Sequence, residues 1–299
     1  MLKNILYNKP CNYLYHKGIG VSYISIFNNN KLLYQHIKTE NSSSLNLNAH
    51  SHVTYEILYI LKGDVSLISE GRRYRLLKND LILIPSRNFH RIVFESDCEY
   101  DRCNLALTSS VAKSVRFSLA NPSKETVLFR LSNANEIDDT FQKLDYYCKH
   151  LSEDAFFDVA QALIKQLFYF LNLNQQYVRQ PEDTHYSPLL ISVLNYINEN
   201  LFTIKHVTDI SSALYISYSH LIKLFKKQFN SSPKKYIMEK RLLAAHKMIS
   251  KGEKPSAVYE KIGFESYNVF YRSYCAYFGY TPSKQESSSK IEDVSTLIL

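Results

Sequence analysis

His206–Phe229 reads HVTDISSALYISYSHLIKLFKKQF, and Pro255–Phe278 reads PSAVYEKIGFESYNVFYRSYCAYF. Each stretch predicts a short helix, a turn and a second helix that opens at a serine. This is the length and order of a helix-turn-helix, whose second helix lies in the major groove of DNA. One such stretch alone would favour a plain helical hairpin. Two of them, starting about fifty residues apart on one chain, predict a sequence-specific DNA-binding protein.

The second helix of the first stretch divides into a core side and an outer side. Ser217 fits the N-cap position, because its hydroxyl can accept from a free backbone N–H at the helix start. The apolar residues at helical spacing predict the core side: Leu221, Leu224, Phe225 and Phe229. The early residues that face outwards are candidates to reach base edges: Tyr218, Ser219, His220, Ile222 and Lys223. Lys226 and Lys227 lie further along and suit contacts to phosphates.

The second stretch follows the same design. Gly263 predicts the turn, Phe264 the packing beneath it, and Ser266 the helix cap. The predicted core residues are Phe270, Tyr274 and Phe278, and the predicted outer residues are Tyr267, Asn268, Val269 and Arg272. Asn and Arg side chains match adenine and guanine edges in the major groove. Residues 233–252 between the units predict one amphipathic helix, which would hold them about one helical turn of DNA apart, ~34 Å.

Positive charge is concentrated in the same part of the chain. Residues 188–285 contain 14 Lys and Arg against 6 Asp and Glu, while the rest of the chain has 22 of each. The whole net charge of +8 therefore belongs to about a hundred residues. A basic block joined to a neutral block indicates that only the C-terminal part meets a polyanion.

These residues resemble the DNA-binding domain of the AraC/XylS family of bacterial transcription regulators. The resemblance covers about residues 188–285, through YINENLFTIKHVTDIS, YSHLIKLFKKQF, SPKKYIMEKRLLAAHKMI, IGFESYNVFYRSY and YFGYTP. It implies seven helices and two recognition helices in successive major-groove segments. Carried over by position, it implies these base-reading residues: Ser219, His220, Lys223, Tyr267, Asn268, Val269 and Arg272.

The chain departs from that family pattern in the second unit. Tyr259 stands where the family usually has alanine, and Cys275 and Ala276 replace the usual basic pair. Gln285 replaces the aromatic residue that normally follows Thr281-Pro282. We therefore expect the first unit to supply more of the non-specific affinity for DNA.

Residues from about Val21 to Leu107 predict β-structure. The runs VSYISIF, YEILYIL, VSLI, DLILIP and HRIVF are separated by turn signals such as LKGD and SEGRR. Short strands at regular spacing with such turns are typical of an antiparallel sandwich or barrel.

Histidines in this β-region form a second pattern. His50, His52 and Glu56 alternate onto one face of a strand, and His90 can join them from another strand. The run HSHVTYEILYILKGDVSLISEGRRYRLLKNDLILIPSRNFHRI resembles the cupin barrel, in the sensor version found before AraC-type DNA-binding domains. The resemblance maps the cupin metal ligands onto these four residues, although Asn79 and Arg87 replace the usual glycines.

Three readings of this pattern stay open. The four residues can line a small-molecule pocket, with weaker candidates for its polar lining at Tyr55, Tyr59, Arg73 and Arg75. His/His/Glu/His is also a donor set for a divalent metal, though no cofactor is required. The third reading is a purely structural role in the strand walls. The family resemblance favours a sugar or other polar metabolite as the effector.

Helical periods begin near Asn135. Ile137, Phe141, Leu144 and Cys148 share one stripe, and residues 155–173 are apolar over a wide face. These helices can pair with a second subunit, which is the reading we prefer because tethering two DNA-binding domains raises affinity. They can also simply pack on the barrel. Residues 174–187 are polar and predict a linker.

The predicted organisation is α+β and multidomain. It comprises a cupin-like sensor (1–120), a helical dimerisation and linker segment (121–187), a double helix-turn-helix domain (188–285) and a flexible tail (286–299). No signal peptide or membrane span is evident, and five scattered cysteines without a CxxC pair fit reduced thiols in a cytoplasm.

The sequence therefore favours a cytoplasmic, homodimeric regulator of double-stranded promoter DNA over an enzyme. We expect an activator that meets RNA polymerase, although repression suits the same residues. The rivals are a metal-dependent cupin enzyme with a helical appendage and a ligand-independent regulator whose barrel only dimerises.

Overall fold

The computed structural model describes residues 21–40, 49–121, 125–131, 133–181 and 188–283. Its N-terminal half is built on antiparallel strands and its C-terminal half is helical, as the sequence predicted. The strands are β1 (Val21–Asn28), β2 (Leu32–Thr39), β3 (Tyr55–Lys62), β4 (Val65–Ser69), β5 (Arg72–Leu76), β6 (Leu81–Ile84), β7 (His90–Phe94), β8 (Tyr100–Leu107), β9 (Val127–Phe129) and β10 (Val178–Arg179).

The strands form two antiparallel sheets. The larger has the order β1-β2-β8-β3-β6-β9-β10, and the smaller has the order β5-β4-β7. One face of the larger sheet packs on the smaller sheet through residues such as Leu58, Ile82 and Leu67. The opposite face carries Ile57, Tyr59 and their neighbours and packs on helices. The larger sheet is thus buried on both sides. Alternate residues along each strand point either to the smaller sheet or to the helices.

Four helices cover the outer face of the larger sheet. They are α1 (Ser109–Ser114), α2 (Phe117–Ala120), α3 (Asn135–His150) and α4 (Glu153–Leu173). The predicted stripe is confirmed in part, since Ile137, Phe141 and Leu144 are buried while Cys148 is only half-buried. Both long helices therefore belong to the core of this domain, whatever else they contact.

The predicted linker is partly ordered structure. Residues Gln175–Tyr177 form a 3-10 turn, and Val178 and Arg179 then pair with Phe129 and Leu128 as an edge strand. The absence of an apolar period was misleading here, because a two-residue edge strand needs none. Residues 182–187 of that linker lie outside the described residues.

The C-terminal half contains α5 (Pro188–Glu199), α6 (Val207–Ala213), α7 (Tyr218–Phe229), α8 (Pro233–Ile249), α9 (Pro255–Lys261) and α10 (Tyr267–Phe278). Between residues 188 and 283 these are six helices, where the family resemblance implied seven up to residue 285. Within the described residues no helix combines the length and the apolar character that a membrane crossing requires.

Helix α8 differs from its prediction. It is continuous, as expected, but it is not amphipathic, because its buried residues lie on several sides. Tyr236 and Ile237 join the core of the first helix-turn-helix, while Leu242 and Leu243 join that of the second. Helix α8 therefore lies at the centre of this domain and contributes its N-terminal part to one helix-turn-helix core and its C-terminal part to the other.

Candidate DNA-binding surface and histidine cluster

The first recognition helix, α7, starts at its predicted cap. The Ser217 hydroxyl accepts a hydrogen bond from the His220 backbone N–H at 3.2 Å. Leu221, Phe225 and Phe229 are buried, and Leu224 is half-buried against the same core. The predicted DNA-facing residues are exposed on one side: Tyr218, Ser219, His220, Lys223, Lys226 and Lys227. Ile222 is half-buried.

The turn before the second recognition helix requires glycine. Gly263 has φ +81°, and a Cβ there would collide with the carbonyl oxygen of Phe202. Arg241 of α8 holds the Gly263 turn against the loop that follows α5. It donates to the carbonyls of Gly263 and Leu201, both at 2.8 Å. It also donates to the carbonyl of Ile204. Arg241 thus ties the second turn to the loop before the first unit, a role that sequence reasoning missed.

The second recognition helix, α10, departs from its prediction at the start. Ser266 occupies the N-cap position, but its side chain makes no capping hydrogen bond. Tyr267 is half-buried, with its ring centroid 5.7 Å from that of Tyr259. Tyr259, which replaces the family's usual alanine, therefore packs against Tyr267 at the start of α10 and covers part of its side chain.

The remaining candidates on α10 stay available. Asn268, Val269 and Arg272 are exposed. Phe270, Tyr274 and Phe278 are buried as predicted. The exposed base-edge candidates of α10 are therefore one amide, one apolar side chain and one guanidinium, while Tyr267 is half-buried.

The structure brings the predicted histidines together at one end of the β-domain. A bridge between His50 and His90 joins their two segments, with backbone N–H to carbonyl distances of 2.9 and 2.8 Å. The ring of His90 lies 4.5 Å from that of His50 and 5.1 Å from that of His52. Glu56 completes the group, since its Oε2 lies 3.1 Å from His52 Nε2 and 2.9 Å from His90 Nε2. We refer to these four residues as the histidine cluster.

The electrostatics of the histidine cluster are those of a buried ion pair. Burial alone would raise the pKa of Glu56, but hydrogen bonds from His52 and His90 outweigh it and hold that pKa well below its usual range. Burial opposes a charged His90, yet the bond to Glu56 raises the pKa of His90 overall. His90 Nδ1 also donates to the carbonyl of Asn88 at 2.9 Å, which fits an imidazolium with both nitrogens protonated.

Three imidazole nitrogens of the cluster, from His50, His52 and His90, lie within 4.8 Å of one another. The donor set is all nitrogen with one carboxylate beside it, and His52 and His90 are buried. Such a set suits a borderline divalent cation. These residues therefore fit the metal that the cupin resemblance implies.

The weaker pocket candidates do not join the histidine cluster. Tyr55 points to the opposite face of β3 from Glu56, and its ring centroid lies 4.7 Å from that of Phe117 in α2. Arg75 faces away from the space between the sheets and pairs with Asp64. The two remaining candidates are also engaged elsewhere, Tyr59 with Asp138 and Arg73 with Glu95. Including these residues in the pocket was wrong, because neighbouring strand residues point to opposite faces.

Residues interleaved with the histidines contact the DNA-binding domain. The Ala49 N–H donates to the Phe229 carbonyl at 3.1 Å, and the Ser51 hydroxyl lies 3.2 Å from the Tyr277 hydroxyl. Arg91, next to His90, donates through Nε to the Gln228 carbonyl at 2.9 Å. The N-terminal domain thus touches the ends of both recognition helices. We refer to this contact as the interdomain contact.

An aromatic and an ionic contact complete it. Phe89 is fully buried, with its ring 4.7 Å from that of Tyr236 and 5.7 Å from that of Phe229. Glu70 Oε1 accepts from the Phe89 N–H and from Lys240 Nζ, both at 2.6 Å. Sequence reasoning missed these residues, although a phenylalanine beside a candidate histidine was an available signal.

Two family models match the chain. A model described as the AraC-like ligand binding domain matches residues 41–167, and a model described as a helix-turn-helix domain matches residues 210–286. The first match contains the histidine cluster, and the second contains both recognition helices.

Curated relatives are transcriptional regulators. The probable transcriptional regulator LumQ of Photobacterium leiognathi is 30% identical over 98 residues, which cover 32% of this chain and 40% of LumQ. The HTH-type transcriptional regulator YfiF of Bacillus subtilis is 23% identical over 257 residues, covering 83% of this chain and 82% of YfiF. YobQ of the same organism is 26% identical over 235 residues, covering 78% and 86%. The chain thus spans less than half of LumQ but most of YfiF and YobQ.

Among solved structures, wild-type ToxT from Vibrio cholerae with bound unsaturated fatty acid is 16% identical, with a TM-score of 0.39. The match covers 87% of this chain and 96% of that one.

Proposed function

Because the chain belongs to the AraC family of DNA-binding transcription regulators and has an N-terminal ligand-binding domain, we propose that the state of its histidine cluster sets how its recognition helices meet promoter DNA. An effector at the cluster would shift the population between two arrangements of the DNA-binding domain relative to the β-domain.

The interleaving of the two sets of residues carries this proposal. His50 and His52 belong to the cluster. The alternate residues of the same segment contact the DNA-binding domain, Ala49 at α7 and Ser51 at α10. On the other segment His90 faces the cluster, while its neighbours Phe89 and Arg91 contact the DNA-binding domain. A movement of either segment by a ligand must therefore move an interdomain contact.

The effector that fits the cluster is a small polar molecule held by imidazole and carboxylate groups. A sugar or similar metabolite offers hydroxyl groups that can both donate to Glu56 and accept from the histidines. A divalent cation is the second candidate, because the imidazole nitrogens converge. His50, His52 and His90 would hold it with Glu56, and it would supply a fixed positive charge at the cluster.

On the DNA side, the two recognition helices have different tasks. Ser219, His220 and Lys223 of α7, with Asn268, Val269 and Arg272 of α10, read base edges, and Tyr267 supports them. Lys226 and Lys227 bind phosphates near the end of α7. The carbonyls of Lys227 and Gln228 accept from Arg91, so the interdomain contact adjoins these phosphate-binding side chains.

The assembly we propose is a homodimer that activates transcription with RNA polymerase from the cytoplasm. Helices α3 and α4 expose large apolar side chains, which supports pairing of these helices between subunits. They are Tyr146 in α3, Leu151 at its C-terminal end, and Tyr169 and Leu173 in α4. The double helix-turn-helix and its basic charge support a binding role over the enzymatic rival, since catalysis needs neither.

DNA affinity of a cluster variant tests the proposal. Fluorescence anisotropy with the chain's own upstream DNA, against scrambled duplex at fixed salt, would compare wild type with His52→Ala. We expect a change in Kd of about 5-fold or more, the usual range of a coupling between sites. His150→Ala, which removes an exposed histidine on α3, is the matched control and should leave Kd unchanged. A folded His52→Ala protein with the wild-type Kd would contradict the proposal.

Added Zn²⁺ separates the two effector candidates. A change in Kd that needs His52 would assign the cluster to a metal. If Zn²⁺ has no effect while His52→Ala still changes Kd, the cluster belongs to a small polar effector.

A further inference from the structure

A cleft lies beside the first recognition helix, where α7 ends and α8 begins. Its volume is about 350 Å³, roughly ten times the ~30 Å³ that one water molecule occupies. The residues that line it are polar or basic apart from one isoleucine: Ile222, Lys226, Asn230, Ser231, Ser232 and Lys235. None of these six is acidic. We refer to this feature as the α7–α8 cleft.

The cleft continues the base-reading face of α7. Ile222 and Lys226 lie three and seven residues after Ser219, and residues at these spacings share one face of a helix. Lys226 is exposed on that face. When the start of α7 lies in the major groove, a later turn of the same face meets the wall of the groove, which is sugar-phosphate backbone.

Helix α8 begins at the cleft. Ser232 is its N-cap, and the Ser232 hydroxyl accepts from the Lys235 N–H at 3.2 Å. That hydroxyl can still donate its own proton. The N-terminal end of this 17-residue helix carries a partial positive charge and N–H groups that have no partner inside the helix. The end of α8 and the lysines beside it therefore attract an anion from the same side.

An unsatisfied hydroxyl also lies at the cleft. Ser231 is 8% exposed, and its Oγ has no hydrogen-bond partner among the described residues. A buried hydroxyl without a partner destabilises the folded chain, whereas a ligand oxygen in the cleft would accept from it. Serine has three staggered χ1 positions, so Ser231 can turn its hydroxyl towards such an oxygen without a movement of the backbone.

The charge of Lys235 is only partly compensated within the domain. Its Nζ lies 3.7 Å from Glu239 Oε1, which is too long for a hydrogen bond. Burial raises the pKa of Glu239 to about 7, so about half of these carboxyl groups are neutral at neutral pH. Lys235 thus offers positive charge to the cleft together with Lys226.

We propose that the α7–α8 cleft binds one phosphate of the DNA backbone, beside the bases that α7 reads. Lys226 and Lys235 pair with its two non-bridging oxygens, and the hydroxyls of Ser231 and Ser232 donate to them. Helix α8 thereby fixes the register of α7 on the duplex. This inference rests on the proposed function in taking DNA as the partner, and it gives α8 a DNA contact of its own.

A methylphosphonate scan tests the contact. In each duplex one phosphate of the specific site is replaced in turn by a neutral methylphosphonate. We expect wild type to lose about tenfold in affinity at one position, next to the bases that depend on Lys223. In Lys235→Met the same replacement should cost almost nothing, because the lysine that pairs with that charge has been removed.

Two further variants make the result specific. Lys247→Met is the matched control, since Lys247 is an exposed lysine of the same helix outside the cleft, and it should keep the full methylphosphonate effect. Ser231→Ala should weaken DNA binding about threefold or more while keeping or raising the Tm of the free protein, because it removes an unsatisfied hydroxyl. A serine with a purely structural role would lower Tm and leave Kd unchanged.

Scrambled duplex gives a readout that needs no specific site. The slope of log Kd against log salt should be lower by about 1 in Lys235→Met than in wild type, because one phosphate contact is lost. Absence of specific binding by wild type would contradict the proposed function alone, since this slope still reports the cleft.

The inference is overturned if the salt slope is unchanged in Lys235→Met, or if every methylphosphonate effect on a specific duplex persists in that variant. It is also overturned if inorganic phosphate raises Tm through Lys235 while both DNA readouts keep their wild-type values. That result would assign the cleft to a free phosphate ligand.

Discussion

The ring of Phe89 in the β-domain lies edge-on to that of Tyr236 in helix α8, with their centroids 4.7 Å apart. Phe89 immediately precedes His90 of the histidine cluster, and Tyr236 belongs to the core of the first helix-turn-helix. One peptide unit therefore separates a cluster residue from a residue buried in the DNA-binding domain. The coupling that we propose between the two halves of the chain would pass through this short connection.

Removing the Phe89 ring should loosen the two domains. Phe89→Ala deletes a fully buried aromatic side chain, and we expect a loss of about 3–5 kcal/mol in the free energy of unfolding. Calorimetry should also show the two domains unfolding in separate transitions. Leu77→Ala, which removes a side chain that is 45% exposed, should change neither quantity. A Phe89→Ala protein with wild-type stability would show that the interdomain contact is not formed in solution.

Base reading by both recognition helices predicts additive losses. Lys223→Ala and Arg272→Ala should each weaken binding to the specific duplex by about 1–3 kcal/mol, and weaken binding to scrambled DNA much less. Lys165→Ala on α4 makes the same charge change at an exposed site outside the DNA-binding domain and serves as control. If Arg272→Ala leaves specific binding unchanged, α10 contributes only backbone contacts.

Glu239 in α8 predicts a pH-dependent stability. It is 4% exposed, its Oε1 is 3.7 Å from Lys235 Nζ, and burial raises its pKa to about 7 despite that lysine. The pKa of Glu239 is higher in the folded protein than in the unfolded chain. The contribution of protonated Glu239 to the free energy of unfolding is therefore lost as pH rises from about 4.5 through 7. Glu239→Gln should therefore gain up to about 3 kcal/mol at pH 8 and nothing near pH 4.5.

Denaturant unfolding at both pH values measures that gain. Glu199→Gln, an exposed glutamate at the end of α5, is the matched control. Equal effects of Glu239→Gln at both pH values would show that Glu239 keeps an ordinary pKa in the folded protein.

His36 predicts a further loss of stability with rising pH, over a higher pH range than Glu239. It lies on β2 between Asp145 of α3 at 2.6 Å and Asp101 of β8 at 2.9 Å. Burial lowers the pKa of His36, but hydrogen bonds to both aspartates raise it overall to about 11, helped by the neighbouring Cys103. The stabilisation is complete below about pH 6.5 and is lost as pH approaches 11.

Thermal unfolding between pH 6.5 and 10 should therefore show wild type losing its advantage over His36→Gln. His150→Gln removes an exposed histidine from α3 and should follow wild type throughout. A constant difference between wild type and His36→Gln across this range would contradict a charged His36.

The sequence predicted best where local rules suffice. Both recognition helices follow from their apolar spacing, although the preceding serine caps only α7. The turn at Gly263 follows from the residue type, and its positive φ agrees. Strands β2 and β8 were missed because both of their faces are buried, which removes the alternation that marks a strand. Strand β5 was missed because three of its five residues are arginines.

The failures at the candidate sites have a common cause. Tyr55 was placed beside Glu56 in the pocket, although adjacent strand residues cannot share a face. Phe89 was missed despite its place beside His90, since its importance depends on which domain packs against it. These are properties of pairing register and domain packing, and no local pattern in one sequence encodes them.

A thermodynamic cycle on DNA affinity tests the central claim, that the histidine cluster acts through the interdomain contact. The Kd for the specific duplex would be measured for wild type and His52→Ala. The same pair would then be measured in a background that carries Arg91→Ala and Tyr277→Phe, which removes two interdomain hydrogen-bonding groups. We predict that His52→Ala changes Kd in the wild-type background and has little effect in the loosened one. The same change of Kd in both backgrounds would contradict the account.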